Sequence, residues 1–297
     1  MRDVPDNAAS GLAIMAAAML IAPAMDIIAK LLTETISPAQ TAFGRFAAQS
    51  VLLLPLVFVL GEWRWPNRLH ALAGICLGLA LFSITGALAV MPVANAIAIF
   101  FVEPLILTVL SAAILGERLG WRRILAVLAG LGGAGIVLRP NLAAYGPEAL
   151  LPLAAALFFS FYLIVTRIMA QRGQRVALQF WAGLFAMLTL GVLMAGAMPF
   201  DIAAFAIDPA GWRELGLLVA VGAIACVTHQ MIAQAFARAE AGALAPLQYL
   251  EIISATALGW LVFGDFPDPL TWAGTAIIVA AGLYVFQRER RMGAAHP

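Results

Sequence analysis

Two glutamates, Glu103 and Glu251, stand 148 positions apart inside copies of one pattern. Phe101-Val-Glu103-Pro-Leu-Ile-Leu-Thr108 leads to Gly116-Glu117, and Tyr249-Leu250-Glu251-Ile-Ile-Ser-Ala-Thr256 leads to Gly264-Asp265. Thr108 matches Thr256 and Leu110 matches Leu258 without a gap. Both glutamates fall in long apolar runs. A carboxyl group in such a place could take a proton, hold the ammonium of an amino acid, or accept hydrogen bonds from a neighbouring helix. Burying one at the centre of a membrane helix costs at least about 2.5–3.5 kcal/mol, so each needs a reason to be there.

Further ionisable and polar groups share these runs. Asp26 and Lys30 are four positions apart, on one helix face with the acid first, a spacing that allows a salt bridge near the outer surface or an outer gate. Pro23 loosens the backbone about one turn earlier. Arg45 lies near the start of the second apolar run, where it could snorkel to headgroups or bind a substrate carboxylate. Thr228-His229-Gln230 is the most polar stretch within a run, and an unperturbed histidine changes charge between about pH 5 and 8. Gln248 and Glu251 share a face, and Asn95 lies two turns before Glu103, so these groups could reach one lumen. Interhelical amide hydrogen bonds are the alternative for Asn95 and Gln248. Phe100, Phe101, Phe158, Phe159, Phe161, Tyr162, Trp181 and Tyr249 could line an apolar pocket or pack between helices. Tyr162 and Trp181 join Asn95, Glu103, His229, Gln248 and Glu251 as candidate substrate-binding residues; Asp26, Lys30 and Arg45 are candidate gating residues.

The elements that must position these groups are membrane helices. Of the 297 residues, 63% are hydrophobic and 11% charged, and the mean hydropathy is +0.97. A soluble domain is nearer one-quarter charged. Ten runs have spanning length: 10–32, 38–60, 69–90, 93–115, 121–139, 148–170, 177–198, 211–236, 243–263 and 270–287. Five fall in 1–146 and five in 147–297, and an odd number per half places the halves in opposite orientations. No segment remains for a soluble catalytic domain. The polar start, Met1 to Ser10, lacks the basic region and cleavage site of a signal peptide.

Basic residues set the orientation. With the N-terminus cytoplasmic, Arg2, Arg64, Arg68, Arg118, Arg122, Arg123, Arg167, Arg172, Arg175, Arg238, Arg288, Arg290 and Arg291 lie inside. Only Lys30, Arg139 and Arg213 lie outside, a positive-inside bias that places both termini in the cytoplasm. Arg118, Arg122 and Arg123 after the first glutamate are replaced by Phe266, Leu270 and Thr271 after the second, as opposite orientation requires. Trp63, Trp65, Trp121, Trp212 and Trp272 flank runs and read as interface anchors. Gly74 and Gly78 form a GxxxG pattern suited to close helix packing within one chain. Cys76 and Cys226 read as small packing residues.

Pro38 with Ala42-Phe43-Gly44-Arg45, Glu103-Pro104 with Leu115-Gly116-Glu117-Arg118, and Leu258-Gly259-Trp260-Leu261-Val262-Phe263-Gly264-Asp265 with Thr271-Trp272-Ala273-Gly274 carry a family resemblance. The chain resembles the drug/metabolite transporter superfamily in its ten-helix EamA-like branch, and within it YddG-type amino-acid exporters and uptake carriers for larger metabolites. The resemblance implies a central cavity lined by the third, fourth, eighth and ninth spans. The first, second, sixth and seventh would gate it, with the fifth and tenth as scaffold. Ile252 in place of Pro104, and Asp265 in place of the usual glutamate, depart from the pattern.

The expectation is an all-α, multi-pass protein of the inner membrane that exports small metabolites by alternating access, with aromatic or apolar amino acids as first substrate class. A nucleoside-bearing or flavin-like metabolite is the alternative, and an intramembrane enzyme built on Glu103 and Glu251 a further one. No phosphate loop is possible, since the single lysine follows Ala29. No cofactor, metal or nucleic-acid motif is present. The expected partners are a small-molecule substrate and the bilayer, with the chain a monomer or weak dimer.

Overall fold

The computed structural model describes residues 6–115, 120–170, 175–239 and 241–293. The loop residues Gly116, Glu117 and Arg118, and the basic residues Arg2 and Arg172, lie outside them. Among the described residues the chain is helical throughout, without a strand: α1 (Asp6–Ile21), α2 (Pro23–Thr33), α3 (Pro38–Val59), α4 (Arg68–Val90), α5 (Val93–Phe100), α6 (Glu103–Leu115), α7 (Trp121–Tyr145), α8 (Leu151–Ala170), α9 (Arg175–Ala197), α10 (Trp212–Arg238), α11 (Ala241–Gln248), α12 (Leu250–Phe263) and α13 (Pro269–Gly293). Nine helical runs among them are long and apolar enough to cross a membrane; the longest, Trp121–Thr166, contains α7, a short 3-10 turn and most of α8. Gly146, at φ +68°, turns the chain between those two helices, a backbone that suits glycine. The fifth run outlasts its expected end at 139: α7 continues through Pro140 to Tyr145.

Three runs are interrupted, and the first two breaks have a physical cause. Proline has no N–H and its ring clashes with the carbonyl four residues back. Pro23 therefore leaves the Met19 carbonyl without a helical partner, and the helix parts at Ala22. Ser254 Oγ of α12 donates to that carbonyl at 2.9 Å, the kind of side-chain rescue a lipid-embedded break needs. Pro104 acts likewise on Phe100, and α5 gives way to α6 through tightened bonds, Val102 N–H to Ile99 O and Leu105 N–H to Val102 O. The third break falls at Tyr249, between α11 and α12. The second and third breaks occupy matching places in the two copies of the glutamate pattern.

Packing is closest where side chains are small. α7 lies along α13 with Gly133 against Gly274: a Cβ on Gly274 would sit 2.6 Å from the Gly133 carbonyl oxygen. Gly74 and Gly78 of α4 face Ala182 and Ala186 of α9, so the GxxxG pattern packs helices within one chain. A broad groove lined by Trp121, Arg122, Leu125 and Tyr284 opens between α7 and α13, away from the ionisable groups of the interior.

Candidate functional site

Four helices bring ionisable side chains together in the interior. Asp26 comes from α2, Arg45 from α3, His229 from α10 and Glu251 from the start of α12. Arg45 is within electrostatic reach of Asp26, His229 and Cys226, and Asp26 within reach of Glu251. All four are enclosed deep in the fold, yet each keeps accessible surface, as groups facing an internal space do. Asp26, Arg45 and Glu251 have no side-chain hydrogen bond and no ion pair within 4.0 Å to any described residue. Arg45 Nε is buried without a partner. His229 Nδ1 lies 2.6 Å from the Ala225 carbonyl of its own helix. A carbonyl only accepts, so Nδ1 carries a proton and Nε2 is left for another partner.

Glu103 stands at the start of α6, its Oε1 buried and unpartnered, within electrostatic reach of Tyr249. A string of rings joins the two halves beside it. Tyr162 meets Phe159 at 5.4 Å between centroids, Phe159 meets Phe100 at 5.6 Å, Phe100 meets Phe101 at 6.4 Å, and Phe101 meets Tyr249 at 5.6 Å. The helix breaks at Phe101 and Tyr249 thus touch each other. The Tyr249 hydroxyl lies against Gly282 of α13, where a Cβ would collide with it.

The remaining candidates go elsewhere. Lys30 does not pair with Asp26. Its Nζ is 2.8 Å from Asp265 Oδ2, donates to the Met91 carbonyl at 3.1 Å and lies 4.7 Å from the Phe263 ring centroid. It therefore ties α2 to the chain just before α5 and just after α12. Arg45 is enclosed within the fold, within electrostatic reach of Asp26 and His229. Asn95 makes the interhelical amide bond that was its alternative: its amide donates to Asn141 Oδ1 of α7 at 2.9 Å, both residues being buried. Trp181 is not in the central cluster. Its Nε1 donates to the Arg64 carbonyl at 2.8 Å, and its ring packs on Trp63 and Phe180. Trp63 also stacks on Phe58 at 4.8 Å, so it is a packing hub more than an anchor, whereas Trp65 and Trp212 are highly exposed. Gln248 is half-buried directly before the third break.

Several structural residues escaped the sequence reading. Glu62 Oε2 accepts the Val176 and Ala177 N–H groups at 2.9 and 3.1 Å, closing the start of α9. Asp208 accepts from Ser37 N–H and, through its backbone, exchanges bonds with Gln40. Gln230 Nε2 donates to Gln179 Oε1 at 3.2 Å. A Gln inside an apolar run was the available signal for Gln179, whereas Asn141 lies beyond the expected end of its run at 139. Ser254 had none, because its partner is a carbonyl exposed by a distant proline.

The chain belongs to the EamA-like transporter family, whose model matches residues 9–139 and again 146–287. It is a multi-pass membrane transporter of the drug/metabolite transporter superfamily. It is 27% identical over 294 residues to an S-adenosylmethionine uptake transporter of Rickettsia felis, covering 98% of this chain and 97% of that one. A riboflavin transporter of Rhizobium johnstonii is 27% identical over 293 residues, covering 97% and 94%. A pseudopaline exporter of Pseudomonas aeruginosa is 27% identical over 285 residues, covering 94% and 96%. A solved crystal structure shares the fold with a TM-score of 0.64 at 22% identity, over 95% of this chain and 99% of that chain.

Proposed function

We propose that this chain is a secondary transporter of the inner membrane that moves small amino-acid-bearing metabolites by alternating access. Its ten spans form two halves of opposite sense, 1–146 and 147–297, with both termini cytoplasmic. Matching helix breaks beside Glu103 and Glu251, and the twofold match of the family model, support two related halves. The observation that carries the functional reading is the set Asp26, Arg45 and Glu251, none bonded to a described side chain, with His229 within reach of Arg45, contributed by helices of both halves. Substrate sites of such carriers lie between the repeats near mid-membrane, around broken helices.

Export of aromatic or apolar amino acids is the first substrate reading. The second is an adenosyl-bearing amino acid. The ring string from Tyr162 to Tyr249 favours it by offering stacking surfaces beside Glu103, and S-adenosylmethionine carriers stand among the relatives. Rocking of the halves around the substrate suffices for downhill movement, without a coupling ion. The purified chain in sealed vesicles, given labelled L-phenylalanine, S-adenosylmethionine and riboflavin, tests the reading. Saturable movement of an amino-acid-bearing compound is expected. Movement no faster than through protein-free vesicles, for all three, would overturn it.

A further inference from the structure

Asp26 and Arg45 act on each other electrostatically, yet the fold leaves more than 4.0 Å between their charged atoms. A guanidinium stays ionised in a protein, and a lone charge deep in a membrane is costly unless something compensates it. Contact between the two side chains would supply that compensation, and the structure does not make it. Arg45 Nε is buried with no acceptor. Glu251 adds a second carboxyl on the Asp26 side, and His229 leaves Nε2 free on the Arg45 side. One cation and two carboxyl groups therefore stand around a gap of more than 4.0 Å that no described side chain bridges with a hydrogen bond.

We propose that this space holds the α-amino-acid head of the transported metabolite, Arg45 binding its carboxylate and Asp26, with Glu251, its ammonium. The assignment rests on the transporter reading and narrows it. A guanidinium fork matches a carboxylate in two parallel hydrogen bonds, a geometry that an ammonium on lysine cannot copy. The substrate's other end would extend toward the rings: Phe101 touches Tyr249, which lies within electrostatic reach of Glu103 at the start of α6. Riboflavin has no amino-acid head and falls outside the proposed class.

The full chain in sealed vesicles, with labelled L-phenylalanine and labelled S-adenosylmethionine as probes, decides this. Each probe is challenged with its decarboxylated and its deaminated counterpart. Loss of either group should weaken competition about tenfold or more, the size expected for a charge-assisted hydrogen bond. In Arg45→Gln the preference for the acid over its decarboxylated amine should vanish, and Arg45→Lys should recover part of it. Equal competition by truncated and intact compounds in the unaltered chain overturns the assignment, with no variant needed. So does an Arg45→Gln chain that binds more weakly but keeps the same preference, which is what a packing role would give. Movement of labelled riboflavin with neither amino-acid probe moving overturns the head site and leaves the transporter reading intact. Movement of none of the three overturns both.

Discussion

At one end of the helix bundle Lys30 is bonded to Asp265 and Met91, Asp208 to Ser37 and Gln40, and Asp268 to the start of α13. At the centre, Asp26, Arg45 and Glu251 are bonded to no described side chain. The end groups are partly exposed to water and cost little to pair. The central groups lie where an unpaired charge costs most, and they are the ones left open. Paired charges hold helices together; unpaired ones deep in a membrane protein mark where something else must bind.

The largest expected effect comes from breaking the central set. Arg45→Gln should lower transport on the order of 100-fold, because a charge-assisted hydrogen bond contributes about 1.5–3 kcal/mol. The same change should leave thermal unfolding in detergent unaltered or slightly later, since it removes an uncompensated buried charge. A large drop in unfolding temperature would mean that Arg45 is structural and the contrast is false.

Next in size is the scaffold. Gly274→Val places side-chain atoms against the Gly133 carbonyl, where a Cβ alone would come within 2.6 Å. Overpacking of this kind costs about 1–3 kcal/mol, read as earlier unfolding. Equal unfolding temperatures would show that α7 and α13 can move apart freely.

The Lys30–Asp265 pair should matter less. Its side chains are 17% and 31% exposed, and such pairs contribute up to about 1 kcal/mol. Asp265→Asn should raise the labelling rate of a cysteine placed in the ring string by a membrane-impermeant thiol reagent added from the Lys30 side. Exchanging the two residues, Lys30→Asp with Asp265→Lys, should restore the slow rate. No recovery in the exchanged chain would remove the pair from any gating role.

The smallest effect belongs to Asp268. Partial loss of water pushes its carboxyl up, but hydrogen bonds from the Thr271 hydroxyl and the Thr271 and Leu270 N–H groups outweigh this and hold it below the usual carboxylate range. A depressed folded value stabilises the folded chain above the unfolded value, and that share is lost as pH falls through the folded one. Asp268→Ala should cost about 0.5 kcal/mol at neutral pH, the low end for loss of a helix cap, and the cost should shrink in acid. A cost that does not change with pH would contradict the capping role.

Hydropathy made the helices legible in the sequence because spanning runs need length and apolarity, and both are written locally. The aligned glutamates also pointed to matching positions in the two halves, where the second and third helix breaks fall. Partners were less legible. The i, i+4 spacing put Lys30 beside Asp26, but Asp265, 235 residues away, is the group it reaches. Distance along its run gave Arg45 a route to the membrane surface, but says nothing of which helices enclose that face, and Arg45 is enclosed. Asn95 has the spacing to share a lumen with Glu103, yet α7 presents Asn141 to it. The break at Tyr249 has no proline at the matching position, so nothing local announced it.

Ligand-induced stabilisation of the purified chain tests most directly whether the open central charges await an amino-acid head. A ligand at one hundred times its dissociation constant stabilises a folded protein by about 2.7 kcal/mol. Added L-phenylalanine or S-adenosylmethionine should therefore raise the unfolding temperature of the unaltered chain, and the rise should disappear in Arg45→Gln. An identical rise in both chains, or none in either with both compounds, would contradict the assignment.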